Sequence, residues 1–260
     1  MKALLVAGIT IGIATGLLAV SASCAENGPG CVVPAYLLTT ESSFPKVANA
    51  IKTRKRLDIL VVGSGSSALA GADGASASYP ARLEAILREN LAGVTVNVQT
   101  DLRPKKTAAE AAAGFGQLIE KLPQDQKPDL VIWQTGTVDA IRSIDTDDFR
   151  AALDRGIGAL QKAGADVLLI NLQYNPRMET MLSVTPYNDT MRVVAQEHEI
   201  PVFDRFSIMR HWSEAGDFDL FGPAHGFGMA KRVHDCIGRS LSTMIVEASR
   251  INPAELRIQR

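Results

Sequence analysis

LDILVVGSGSSALAGADGASASYP, residues 57–80, is the stretch whose reading decides the fold. Residues 59–62 are an unbroken apolar run with no polar face, which suits a parallel strand covered by helices on both sides. The run breaks into a Ser/Gly loop and reaches a helix start at Tyr79 and Pro80. Open α/β sheets place their ligand crevices at the carboxyl ends of such strands, so any chemistry is expected at 63–71.

Working outward, Leu83, Ile86, Leu87 and Leu91 recur at helical spacing up to Gly93. Val94, Val96 and Val98 alternate as a second strand, 101–106 is a polar loop, and 107–122 is an alanine-rich helix. A third strand, 130–134, sits inside DLVIWQTGTVDA, where Trp133 is expected in the core. Thr146 can cap a helix carrying Phe149, Leu153, Ile157 and Leu160 on one face and stopped by Gly164. A fourth strand at 166–171, an irregular segment at 172–184, a helix from Pro186 to about His198 and a short fifth strand at 201–203 follow. The last stretches read as a loop, 210–224, holding His211 and Trp212, and a helix over 226–246. Strands alternating with helices give a three-layer α/β/α sandwich around a mostly parallel five-stranded sheet, flavodoxin-like in type.

The 260 residues suit one domain plus a processed end. Lys2, the apolar segment 4–20 and the small residues 21–25 have the form of an export signal cleaved after Ala25, which predicts a periplasmic or secreted protein. An uncleaved anchor is the alternative, because the apolar segment is nearly long enough to span a membrane. A lipid-modified Cys24 is weakened by Ser21, which stands where a larger aliphatic residue is expected. The expected organisation is a signal at 1–25, an extended lead-in at 26–56 rich in Gly and Pro, a domain at 57–247 and a tail at 248–260. Loss of Cys24 leaves Cys31 and Cys236, a pair expected to be bridged in an oxidising compartment. Closing so long a loop stabilises by about 4 kcal/mol in the chain-entropy model.

A formal net charge of −1 argues against a general electrostatic footprint for nucleic acid, and the cluster Lys52, Arg54, Lys55, Arg56 reads as solvated surface. Gly63-Ser64-Gly65-Ser66-Ser67-Ala68 has dinucleotide-motif spacing, but Gly71, Gly74 and Pro80 delay the helix whose amino end would hold the pyrophosphate. Neither a cofactor nor a metal is expected: His198, His211, His225 and His234 lack partners at ligand spacing. After proteolytic maturation no membrane association is expected, and the oligomeric state is not encoded in any pattern.

Ser64, Ser66 and Ser67 after strand one, with a late His225, are the raw materials of nucleophilic ester hydrolysis. Here the chain resembles the SGNH (GDSL) hydrolase superfamily, in particular its exported bacterial members. The resemblance is carried by ILVVGSGSSALAG, SYPARLEAIL, PDLVIWQTGTVDA, AGADVLLINLQYNPR, RFSIMRHW and HGFGMAKRVHDC, together spanning about 31–241. It implies a flavodoxin-like sandwich and esterase, lipase or carbohydrate deacetylase chemistry without a metal.

Taken residue by residue, the resemblance places the family's nucleophile on Gly65, or on Ser67 if the turn slides by two. It places the oxyanion glycine near Leu102, the oxyanion asparagine on Val138, the aspartate on His225 and the base on Gly228. Val138 cannot donate to an oxyanion, and loss of one such donor costs about 3 to 4 kcal/mol of transition-state stabilisation. Three readings follow. The crevice binds a carbohydrate or acyl-ester ligand without hydrolysing it, Ser66 or Ser67 works with a displaced His225, or a different reaction uses Lys105, Lys106 or Asp139. Tyr174 and Arg177, after strand four, are pocket candidates beside Ser64 and Asp139, and Trp212 is a possible sugar platform set against simple packing.

Overall fold

The computed structural model describes residues 31–221 and 226–258. Five parallel strands, β1 Arg56–Gly63, β2 Thr95–Leu102, β3 Leu130–Gln134, β4 Asp166–Ile170 and β5 Val202–Phe203, form one sheet in the order β2-β1-β3-β4-β5. The expected architecture is therefore observed. The helices are α1 Pro45–Asn49, α2 Gly74–Ala77, α3 Tyr79–Asn90, α4 Ala108–Ala112, α5 Phe115–Glu120, α6 Thr137–Ile141, α7 Thr146–Lys162, α8 Pro176–Met181, α9 Thr185–Glu197, α10 Arg205–Glu214, α11 Gly226–Ala248 and α12 Pro253–Ile258. α3 packs on α11, and α7 packs on α4, α5 and α9, giving the outer layers.

β1 is buried from Leu57 to Gly63 and β3 throughout, as an apolar run covered on both faces requires. Trp133 is in the core, edge-on to Phe115 at 4.9 Å, and Gly156 of α7 leaves the room that its ring occupies. α7 is capped by Asp145, one residue before the expected Thr146, and ends at Gly164, whose φ of 93° suits glycine.

Five local expectations are corrected. Part of the lead-in expected to be extended is helical: Pro45 opens α1, a π-helical turn over Ala50–Arg54 follows, and Phe44, Val47 and Ile51 are buried because the segment closes the core's end. β2 runs on to Leu102, into the expected polar loop, because β1 offers a paired edge as far as Gly63. The single helix expected over 107–122 is two, α4 and α5, parted at Gly114, where the Arg103 guanidinium occupies the space a side chain would need. The irregular 172–184 contains α8, whose first turn is capped by Asn175 through Arg177 N and Met178 N. Finally, His211 and Trp212 lie on α10, not on a loop.

That last change removes the sugar-platform reading. Trp212 is fully buried, edge-on to Phe218, with Nε1 donating to the Val32 carbonyl at 3.0 Å. Cys31 and Cys236 form a disulfide with Cα atoms 5.2 Å apart, tying the chain's amino side to α11. No helix among the described residues is long and apolar enough to cross a membrane. The expected export signal lies outside them.

Candidate functional site

The turn after β1 bends back on itself. Ser64 is extended, Gly65–Ser67 make one 3-10 turn, and Ser67 folds over Gly63 so closely that a Cβ on Gly63 would lie 2.1 Å from the Ser67 hydroxyl. Glycine at 63 is therefore a matter of space. Ser67 is buried while Gly65 is exposed.

Gln134, the last residue of β3, gathers the serines. Its Nε2 donates to Ser64 Oγ at 3.0 Å and to Ser66 Oγ at 2.8 Å. Its Oε1 accepts from Ser67 Oγ at 2.8 Å, from the Tyr79 hydroxyl at 3.1 Å and from Arg205 Nη1 at 3.1 Å. Arg205 can only donate, which fixes the orientation of the amide. Both ends of the side chain are thus fully engaged, and a satisfied buried network holds its members rigidly.

Arg205 is 1% exposed, at the start of α10. Its neighbour Asp204 turns elsewhere, to Arg192, Ser207 and Asn171, so no carboxylate among the described residues pairs with this guanidinium. Nε and Nη2 have no hydrogen-bond partner among the described residues. Burial lowers the Arg205 pKa to about 10, a value that keeps it charged at neutral pH. His234 lies beside this group: Nδ1 accepts from Tyr79 N at 2.9 Å, and burial, helped by the Arg205 charge, lowers its pKa to about 4. His234 is a neutral structural acceptor.

Above the Gln134 network a shallow crevice is lined by Gly63, Ser64, Arg103, Lys106, Thr135, Thr137 and Val138, among others. This is the carboxyl end of β1 and β3, where the sequence directs attention. Gly65 and Gly228, in the first turn of α11, are both exposed with open space where a side chain would stand. Val138 is half-buried on α6. His225 lies outside the described residues.

Asp139, Tyr174, Arg177 and His198 have structural partners. Asp139 is buried, and both carboxylate oxygens accept from Ala108 N, capping α4. Desolvation raises its pKa, against the lowering effect of these backbone donors. The Lys105 carbonyl accepts from Arg142. Tyr174 packs edge-on against Phe206 beneath the Arg210 guanidinium, and Arg177 donates to the Phe221 carbonyl at 3.3 Å. His198 pairs with Asp154, joining α9 to α7. The sequence does not single out Gln134 or Arg205, and it reads Tyr79 only as a helix start and His234 only as a histidine without ligand spacing. The one available signal was a glutamine ending an otherwise apolar strand.

No group of three or more possible metal-binding side chains occurs among the described residues. None of the curated proteins matches the chain. Among solved structures, the lipase/acylhydrolase from Enterococcus faecalis is 20% identical with a TM-score of 0.58, covering 76% of this chain and 98% of its own. TesA is 21% identical with a TM-score of 0.56, covering 72% of this chain and 99% of its own. A two-domain esterase (CEX) active on acetylated mannans is 12% identical with a TM-score of 0.63, covering 82% of this chain and 56% of its own. These likenesses establish an SGNH-hydrolase fold. A family model matches residues 30–251, which takes in the crevice, the Gln134 network and the disulfide alike, and the chain belongs to the Non-GDSL lipase-like family.

Proposed function

We propose that the protein is exported and binds a carbohydrate or acyl-ester ligand at the carboxyl end of its sheet, with ester hydrolysis lost or strongly impaired. One observation carries this reading: the three serine hydroxyls of the turn converge on the Gln134 amide and on no described imidazole. Ser67, the family's nucleophile in the shifted register, is buried and donates its proton to Gln134. Gly65 and Gly228, the nucleophile and base positions of the unshifted register, carry no side chain, and Val138 offers no donor to an oxyanion. The esterase of similar fold that acts on acetylated mannans supports an acylated carbohydrate as the ligand class. The disulfide supports export into an oxidising compartment.

A second reading rests on Ser66. It accepts from Gln134 Nε2 and lies 3.2 Å from Ser64 Oγ, so when Ser64 is the donor of that pair the Ser66 proton is available to a base, and a displaced His225 would be that base. Hydrolysis of p-nitrophenyl acetate separates the two. The first reading expects a rate at the buffer background, unchanged by Ser66→Ala, Ser67→Ala or His225→Ala. Turnover abolished by Ser66→Ala and by His225→Ala, with folding retained, establishes the second. Acetylated mannan oligosaccharides in calorimetry test binding. Val138→Arg, which fills the crevice, should abolish the signal, and no signal from the wild type removes the proposed ligand class.

A further inference from the structure

A second concave site lies away from the Gln134 network. It has a volume of about 460 Å³ and is lined by Arg82, Lys231, Arg232, Arg239, Phe218, Asp235 and the Cys31–Cys236 disulfide. Four cations face one carboxylate, in a chain whose formal net charge is −1, so the concentration of positive charge is local.

The arrangement is held in place from three directions. Asp235 accepts from Arg82 Nε at 2.6 Å and from Arg239 Nε at 2.9 Å, fixing two guanidiniums from α3 and α11 side by side. Each guanidinium has five N–H donors, far more than one shared carboxylate takes up. Arg232 lies over the Phe218 ring, 5.4 Å from its centroid. Lys231 and Arg232 are exposed and form no ion pair among the described residues. On α11 the spacing 232, 235, 239 keeps these residues on one helix face.

We propose that this pocket is a binding site for a phosphate-bearing anion, with Lys231 and Arg232 meeting the oxyanion and the Arg82–Asp235–Arg239 cluster setting its position. Arginine forks match phosphate oxygens bidentately, and a lysine adds a point charge to the same anion. The phosphate belongs either to a soluble phosphate ester or to an anionic lipid headgroup. The site does not depend on how the crevice is read.

The test uses pyrophosphate in calorimetry at low salt and flotation with phosphatidylcholine vesicles with and without phosphatidylglycerol. Wild-type protein is compared with Lys231→Glu/Arg232→Glu, and with Lys121→Glu/Lys162→Glu as a control of equal charge change on exposed residues elsewhere. The pocket variant should bind pyrophosphate at least tenfold more weakly while the control is unchanged, with circular dichroism showing that all three fold. Pyrophosphate binding alone identifies a soluble ester, and additional loss-sensitive flotation with phosphatidylglycerol identifies the headgroup. Absence of both in the wild type, or equal loss in pocket and control variants, overturns the proposal.

Discussion

The two ends of the sheet differ in one buried charge. At the amino ends of the strands, carboxylates are met by cations and backbone donors. Asp58 takes two bonds from Arg56, Asp129 takes Asp58 N and Arg54, and Asp166 takes Lys46 N and Val47 N at 2.8 and 3.0 Å. At the carboxyl ends Asp139 and Asp204 are met likewise, but the Arg205 guanidinium is buried with the neutral Gln134 as its hydrogen-bond partner, and Nε and Nη2 have none among the described residues. One end is compensated by the chain itself and serves the fold. The other retains a cation with no carboxylate partner among the described residues, whose cost the rest of the structure must offset, and such departures from a satisfied core concentrate at functional sites.

The largest effect should come from Gln134. Gln134→Leu removes the acceptor of Arg205, Ser67 and Tyr79 together and should cost about 4 kcal/mol or prevent folding. Gln134→Glu keeps an acceptor and supplies the missing counter-charge, so its urea midpoint at pH 7 should equal or exceed the wild type's. If the glutamate variant is as unstable as the leucine one, the cation is not isolated and the contrast between the ends fails. Next in size is the disulfide. Cys236→Ser should lower stability by about 4 kcal/mol without moving the Gln134 network, because the bridge acts chiefly on the unfolded chain. Gly63→Ala follows, at about 2 kcal/mol, since the new methyl displaces Ser67 from Gln134 while leaving the amino end untouched.

The sequence made the sheet legible because parallel strands buried on both faces leave continuous apolar runs, as at 59–62 and 130–134. It located the crevice for the same reason, since a glycine-serine turn must follow the first run. Trp212 was misplaced because the helical signal of α10 is short and interrupted by Arg205, Arg210 and His211, polar residues whose burial or pairing depends on distant partners. The floor of the site was illegible on principle. Gln134, Tyr79, Arg205 and His234 come from four elements, and no spacing along the chain reports that they converge.

The smallest effect sharpens the comparison through pH. Asp166 at the amino end has its pKa pushed up to about 6, burial outweighing its two backbone donors. An acid whose pKa is raised on folding stabilises below its unfolded value and loses that contribution as pH rises through about 6. His234 at the carboxyl end, lowered to about 4, contributes fully above its ordinary value of about 6.5 and loses the contribution as pH falls through about 4. The two groups therefore tilt stability in opposite directions between pH 4 and 6.5. The penalty of Asp166→Asn should shrink from pH 4.5 to pH 7, and that of His234→Gln should grow, each by on the order of 1 kcal/mol. Urea midpoints of the three proteins at both pH values read the slopes directly. Parallel slopes would mean that the two ends share one electrostatic environment, and the division between a compensated end and an open one would have to be given up.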